Sequence, residues 1–182
     1  MPLNFEDLYK VAEGLICAKK YEEASAIYII LLKIKPDMAS LWHGLANCLE
    51  RQGNVEGSKR AYENALKYHL IEDNKSSSLW AGWAAMKLGR VEMAYSLFKK
   101  FVEIEPEYAY GWISLAAAAS KLKKFKEAEE ARVLYRKIQN TRPYKRRECE
   151  GREMLLSVMN EADGVLRIFI ENMVNEIRCN EK

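Results

Sequence analysis

Histidine is the side chain that most often moves protons near neutral pH, and this chain has two, His43 and His69. Neither has a cysteine or carboxylate partner at catalytic spacing, so neither is expected to act as a general base. Cys17, Cys48, Cys149 and Cys179 are scattered, with no CxxC pair and no histidine at ligand spacing. They read as small apolar or surface thiols in a reducing cytosol, and no metal is expected. The adjacent carboxylates Glu22–Glu23 and Glu129–Glu130 sit among lysines and read as solvated helix faces. No nucleotide-binding glycine pattern, zinc-protease helix or nucleophile elbow occurs. An enzyme is therefore not expected, and neither is a cofactor.

One charge anomaly stands out. From residue 118 to residue 147 the chain has eleven Lys or Arg against three Glu, and Arg142, Lys145, Arg146 and Arg147 cluster around Pro143 and Tyr144. Such a stretch suits RNA phosphates or an acidic protein surface. Only Phe125, Tyr135 and Tyr144 are interleaved with it, and the net charge of the whole chain is +3. A solvated face is the reading preferred here, with an acidic partner next and nucleic acid last.

The elements that carry these residues are set by the period of the chain. Aligning 15–28, 49–62 and 85–98 brings small residues and aromatics into register. Four windows of 34 residues follow, 5–38, 39–72, 75–108 and 109–142. The fourth place holds Leu8, Trp42, Ser78 and Trp112. The seventh and eighth hold Val11–Ala12, Leu45–Ala46, Ala81–Gly82 and Leu115–Ala116. The twentieth is Ala24, Ser58, Ala94 or Ala128, and the twenty-fourth is Tyr28, Tyr62 or Phe98. Small residues at the eighth and twentieth places let two helices approach closely, and the large ones fill the volume beside them. Pro36 and Pro106, at the thirty-second place, stop the second helix. No linker rich in serine and glycine divides the 182 residues, so one body is expected.

This pattern resembles the tetratricopeptide repeat (TPR) family. The resemblance implies an all-α solenoid, a right-handed superhelix of antiparallel helix pairs with at least eight helices, whose first helices line a concave groove that holds a protein segment. Carrying over the groove-lining places makes Tyr9, Glu13, His43, Asn47, Leu79, Trp83, Tyr110 and Ile113 the expected partner site. Trp80 joins them if an irregular turn before the third window rotates that helix. Trp83 has a competing structural role, filling the gap left by the small Ala81. The clamp that some family members use for a peptide carboxylate is missing. Asn47 matches it, but Tyr9 or His43 stands where lysine is needed, and Trp80, Tyr110 and Ser114 occupy its later places. An aromatic and apolar groove with a polar rim is implied instead.

The departures carry information too. Two extra residues precede the third window, with Ser76 or Ser77 as the expected helix cap. In the fourth, Arg132 replaces the aromatic, Tyr135 a small residue and Asn140 the proline. Beyond Pro143 the repeat ceases. Leu155, Val158, Met159, Ala162, Leu166, Phe169, Ile170, Met173 and Ile177 then recur at helical steps. Residues 143–182 are expected to form a basic turn and an amphipathic helix or helices capping the last repeat, with spare apolar surface for a partner or a second copy. No signal peptide or run long enough to span a membrane is recognisable, so a cytoplasmic protein without membrane insertion is expected.

Residues 8–98 show a narrower resemblance, to the class II chaperones of bacterial type III secretion, which hold translocator proteins before export. LYKVAEGLICAKKYEEA, LWHGLANCLERQGN and AAMKLGRVEMA carry it. The lack of a dimerising segment before the first repeat and the nearly complete fourth repeat depart from that class.

Overall fold

The computed structural model describes residues 4–72 and 74–141. The described residues form eight α-helices and no strand: α1 Phe5–Cys17, α2 Tyr21–Ile34, α3 Ala39–Arg51, α4 Val55–Ile71, α5 Ser77–Lys87, α6 Val91–Ile104, α7 Ala109–Lys121 and α8 Phe125–Thr141. Two helices fall in each 34-residue window. The C-terminal stripe and its expected capping helix lie outside the described residues. Among the described residues, no helix is long and apolar enough to cross a membrane.

Each first helix ends in the same way. In α1 the amide of Lys20 donates to the carbonyl of Leu15, and that of Lys19 to Ile16. The same pair of bonds closes α3, α5 and α7, where Asn54, Arg90 and Lys124 bond to Leu49, Ala85 and Ala119. This Schellman closure needs one residue in the left-handed region, and that residue is Lys19, Gly53, Gly89 or Lys123, with φ of 61°, 78°, 75° and 60°. The second helices α2 and α6 stop at Ile34 and Ile104, two residues before Pro36 and Pro106. Six residues on, an indole answers each proline. Trp42 Nε1 donates to the carbonyl of Pro36 at 2.7 Å, and Trp112 Nε1 to that of Pro106 at 2.6 Å.

The packing register follows the sequence pattern. Ala12, Ala46, Gly82, Ala116, Ala24, Ser58, Ala94 and Ala128 are all buried, as are the aromatics Tyr28, Tyr62 and Phe98. A methyl group on Gly82 would lie 2.5 Å from the Phe98 ring, so the ring occupies the space that glycine leaves. Burying an aromatic of this size contributes roughly 2–3 kcal/mol, which is why a small residue opposite it matters.

The described residues form two compact units, which divide between Ser58 and Lys59, inside α4. No flexible linker is needed for such a division, because helical repeats make contacts only with near neighbours in sequence. In the first unit α1 packs on α2 and α2 on α3; in the second, α5 packs on α6, α6 on α7 and α7 on α8, with α5 also touching α7. The expected serine cap of α5 is absent. Ser76 holds the N-cap position without a side-chain bond; instead Asn74 Oδ1 accepts from the amide of Ser76 at 3.0 Å. As a result α5 starts two residues into its window and is 11 residues long, against 13 for α1, α3 and α7.

Candidate functional site

In the first unit, Tyr9 and Glu13 lie one turn apart on α1 and share a face. Both are half-buried. The Tyr9 ring stands edge-on to Tyr28, with centroids 6.4 Å apart and planes at 84°. Ser40 on α3 lies near its hydroxyl, but the Ser40 Oγ makes no hydrogen bond among the described residues. Tyr28 is fully buried on α2, and its phenol donates to Glu13 Oε1. Gly44 makes room for that ring, since a Cβ there would fall 2.3 Å from Tyr28 Cζ.

Burial, and then the neighbouring Glu13 charge, raise the Tyr9 phenol to about 12, against a smaller opposing effect of Ser40. The same two causes, with the bond to Glu13 added, hold Tyr28 well above its usual value. Both phenols are thus protonated at neutral pH, and Tyr28 remains a donor. The buried Cys48 thiol is likewise pushed up to about 12, by burial first and Glu13 second, which makes it a poor nucleophile. His43 and Asn47, the other expected members, are half-buried on α3.

The second unit holds a different arrangement. Trp83 on α5 stacks on Tyr110 of α7, with centroids 5.7 Å apart and planes at 19°. The opposite side of Trp83 is tied down, because its ring meets Phe98 at 5.7 Å and 62°. Its indole Nε1 donates to Ser114 Oγ at 3.0 Å, and Ser114 in turn donates to the carbonyl of Tyr110 at 2.6 Å. Trp83 therefore combines both roles considered for it: it packs into the helix pair and presents a ring to its neighbour. Tyr110 is 39% exposed, and Ile113, one turn on, is half-buried.

Leu79 is a correction. It is 1% exposed and belongs to the core. On α5 it is Trp80, with Trp83, that is half-buried.

Arg142, Lys145, Arg146 and Arg147 lie outside the described residues. In the described part of the basic stretch, several charges are engaged locally. Lys124 Nζ lies 3.6 Å from Glu127 Oε1 and 4.0 Å from the centre of the Tyr95 ring. Arg132 and Arg136 both reach Glu129 at 3.3 Å. Among the described residues, no group of three or more His, Cys, Asp or Glu is placed to hold a metal ion.

Sequence reasoning missed three contributors: Tyr28, Gly44 and Ser114. Tyr28 was visible only as a packing aromatic, and nothing local marks its hydroxyl as the partner of Glu13. Ser114 did leave a signal. It is a polar residue among the alanines of α7, one turn beyond Tyr110.

Comparison with known proteins gives a consistent picture. The tetratricopeptide-repeat family model matches residues 51–109. The STIP1 homolog of Dictyostelium discoideum is 26% identical over 145 residues, which are 73% of this chain and 25% of that protein. FlbA of Caulobacter vibrioides is 30% identical over 110 residues, 60% of this chain and 18% of that protein. The aligned regions thus span a quarter or less of those relatives. Among solved structures, YrrB, described as a TPR protein with an unusual peptide-binding site, aligns with a TM-score of 0.53 at 14% identity, covering 93% of this chain and 84% of that one. TTC0263 of Thermus thermophilus, a thermophilic TPR protein, gives 0.55 at 15% identity, covering 94% and 100%. MamA from Desulfovibrio magneticus gives 0.55 at 11%, covering 95% and 92%. At these identities the structural likeness is one of fold.

Proposed function

Since the chain is a tetratricopeptide-repeat protein, we propose that it is a non-enzymatic adaptor or chaperone that holds an extended or helical segment of a partner polypeptide against its first helices. The stacked Trp83–Tyr110 pair carries this reading. Two large aromatics on neighbouring first helices form a ledge whose outer member is 39% exposed, while Phe98 and Ser114 fix the inner one. A rigid ring with one wet side is the usual form of a binding anchor. The description of YrrB, a structure of the same fold, supports peptide binding as a use for such a scaffold.

The narrower reading, a translocator-type chaperone of type III secretion, is supported by the resemblance of residues 8–98 alone. The alternative, a solenoid that binds RNA or an acidic partner through the basic stretch, is disfavoured by the pairing of Lys124, Arg132 and Arg136 with Glu127 and Glu129. A cytoplasmic location goes with the adaptor reading.

The test is a footprint. Dodecapeptides selected from a phage-displayed random library on the immobilised full chain are added in solution, and hydrogen exchange is compared with and without them. The reading predicts protection on first helices, with α5 and α7 included. Protection confined to the second helices α2, α6 or α8 would overturn it.

A further inference from the structure

We propose that Glu13 is a recognition point for a basic side chain, so that the segment this protein holds carries an arginine or lysine. This deepens the reading above and rests on it. The first observation is that the position of Glu13 is fixed. Gly44 leaves space for the Tyr28 ring, the ring is fully buried, and its hydroxyl donates to Glu13 Oε1. A carboxylate held this way does not have to be ordered when a ligand arrives.

The second observation is that half of the carboxylate is unspent. A carboxylate accepts about four hydrogen bonds in favourable geometry. Among the described residues Glu13 accepts from the Tyr28 phenol alone, and none of the described lysines or arginines pairs with it. A buried phenol needs only one neutral acceptor, which an amide or a backbone carbonyl would supply. A full negative charge exceeds that need, and a half-buried charge is costly unless a cation meets it.

The third observation is the setting. Glu13 lies on the same face of α1 as Tyr9, whose ring is half-buried one turn away. A carboxylate beside an aromatic ring favours a guanidinium or ammonium over other side chains, through charge-assisted hydrogen bonds and attraction to the ring face. The Glu13 charge also raises the Tyr9 phenol on α1 and the Cys48 thiol on α3, in each case less than burial does.

The experiment uses the full chain and the same random dodecapeptide library, selected in parallel on the parent and on Glu13→Gln, which keeps an acceptor for Tyr28. The parent pool is expected to fix Arg or Lys at one position, and the variant pool to lose that position while keeping the rest of its consensus. The best parent peptide should bind Glu13→Gln about tenfold more weakly. Replacing its basic residue with norleucine should weaken binding to the parent by a similar factor and barely affect binding to the variant, as a double-mutant cycle requires. Exchange of Arg for Lys or citrulline at that position distinguishes a guanidinium from a general cation. The norleucine peptide involves no protein variant, so the result stands even if Glu13→Gln folds poorly.

Peptides that protect first helices but show no basic position, or that tolerate norleucine without loss, overturn the assignment of Glu13 and leave the binding face standing. Peptides that protect only second helices overturn both.

Discussion

Lys19 and Lys123 occupy the left-handed position that closes the first helices of their repeats, where Gly53 and Gly89 stand in the other two. A side chain with a Cβ is strained there, by roughly 1–2 kcal/mol, and glycine is not. Part of that gain is offset by the greater chain entropy of glycine when unfolded. Lys19→Gly and Lys123→Gly should each stabilise the fold by about 0.5–1 kcal/mol, raising Tm by roughly 1–4 °C. Gly53→Ala and Gly89→Ala, which meet no neighbouring atom, should lower it by a similar amount through backbone strain alone. Thermal melts in which the lysine-to-glycine variants are no more stable than the parent would contradict this. His69 is the second residue-scale case. It is buried, and burial lowers its pKa below the usual 6.5, more than the nearby Glu72, 3.3 Å away, raises it. The folded state therefore binds fewer protons than the unfolded one as pH falls through this range, and the stability present above about 6.5 is lost on acidification. Between pH 7.5 and 5.5 the parent should lose more Tm than His69→Gln; parallel curves would refute the linkage. At this scale the sequence was partly legible. Tyr9, Glu13, Trp83 and Tyr110 stayed outside the buried core, half-buried or exposed. Leu79 did not: it is buried on α5, the one first helix that starts late in its window.

The helix termini explain that late start. Where Pro36 and Pro106 end the second helices, the next first helix begins at its first place and a tryptophan six residues on caps the proline carbonyl. In the second window Leu70 stands in the proline's place, and α4 continues to Ile71 for 17 residues. Glu72 then gathers Asn74 and Ser77, at 3.1 and 3.4 Å, and α5 starts from an Asx turn. The missing proline and the missing tryptophan, Ser78 at the fourth place, were both readable in advance. The geometry of the turn was not, since it depends on which side chain finds which amide. Within the helix pairs the close approaches set the tolerance. Gly82→Ala puts a methyl group within 2.5 Å of the Phe98 ring, which α6 and Trp83 hold in place. It should cost about 1–3 kcal/mol, although alanine is the better helix former. Gly44→Ala should behave alike against Tyr28, whereas Glu22→Ala, on an exposed face of α2, should change little. Denaturant titrations in which the three variants are equally stable would sink this packing register.

For the whole molecule, eight helices in four windows were legible because the repeat writes the same packing solution four times. The division into two compact units was not, because the boundary falls inside α4 and leaves no mark in composition. The cluster Arg142, Lys145, Arg146 and Arg147 and the residues that suggested a C-terminal cap lie beyond residue 141 and outside the described structure. What remains central is the proposal that the stacked aromatic pair of α5 and α7 binds a polypeptide segment. Calorimetry on the parent and Tyr110→Ala, titrated with a selected peptide that protects α5 and α7 from exchange, tests it most directly. Tyr110 is the better choice because Trp83 also supports Phe98, so its loss would confuse folding with binding. The account predicts a Tyr110→Ala protein with parental circular dichroism and nearly parental Tm, and a Kd weakened about tenfold or more, as expected for an aromatic anchor worth about 1.5–2 kcal/mol. Equal Kd values for the two folded proteins would contradict it.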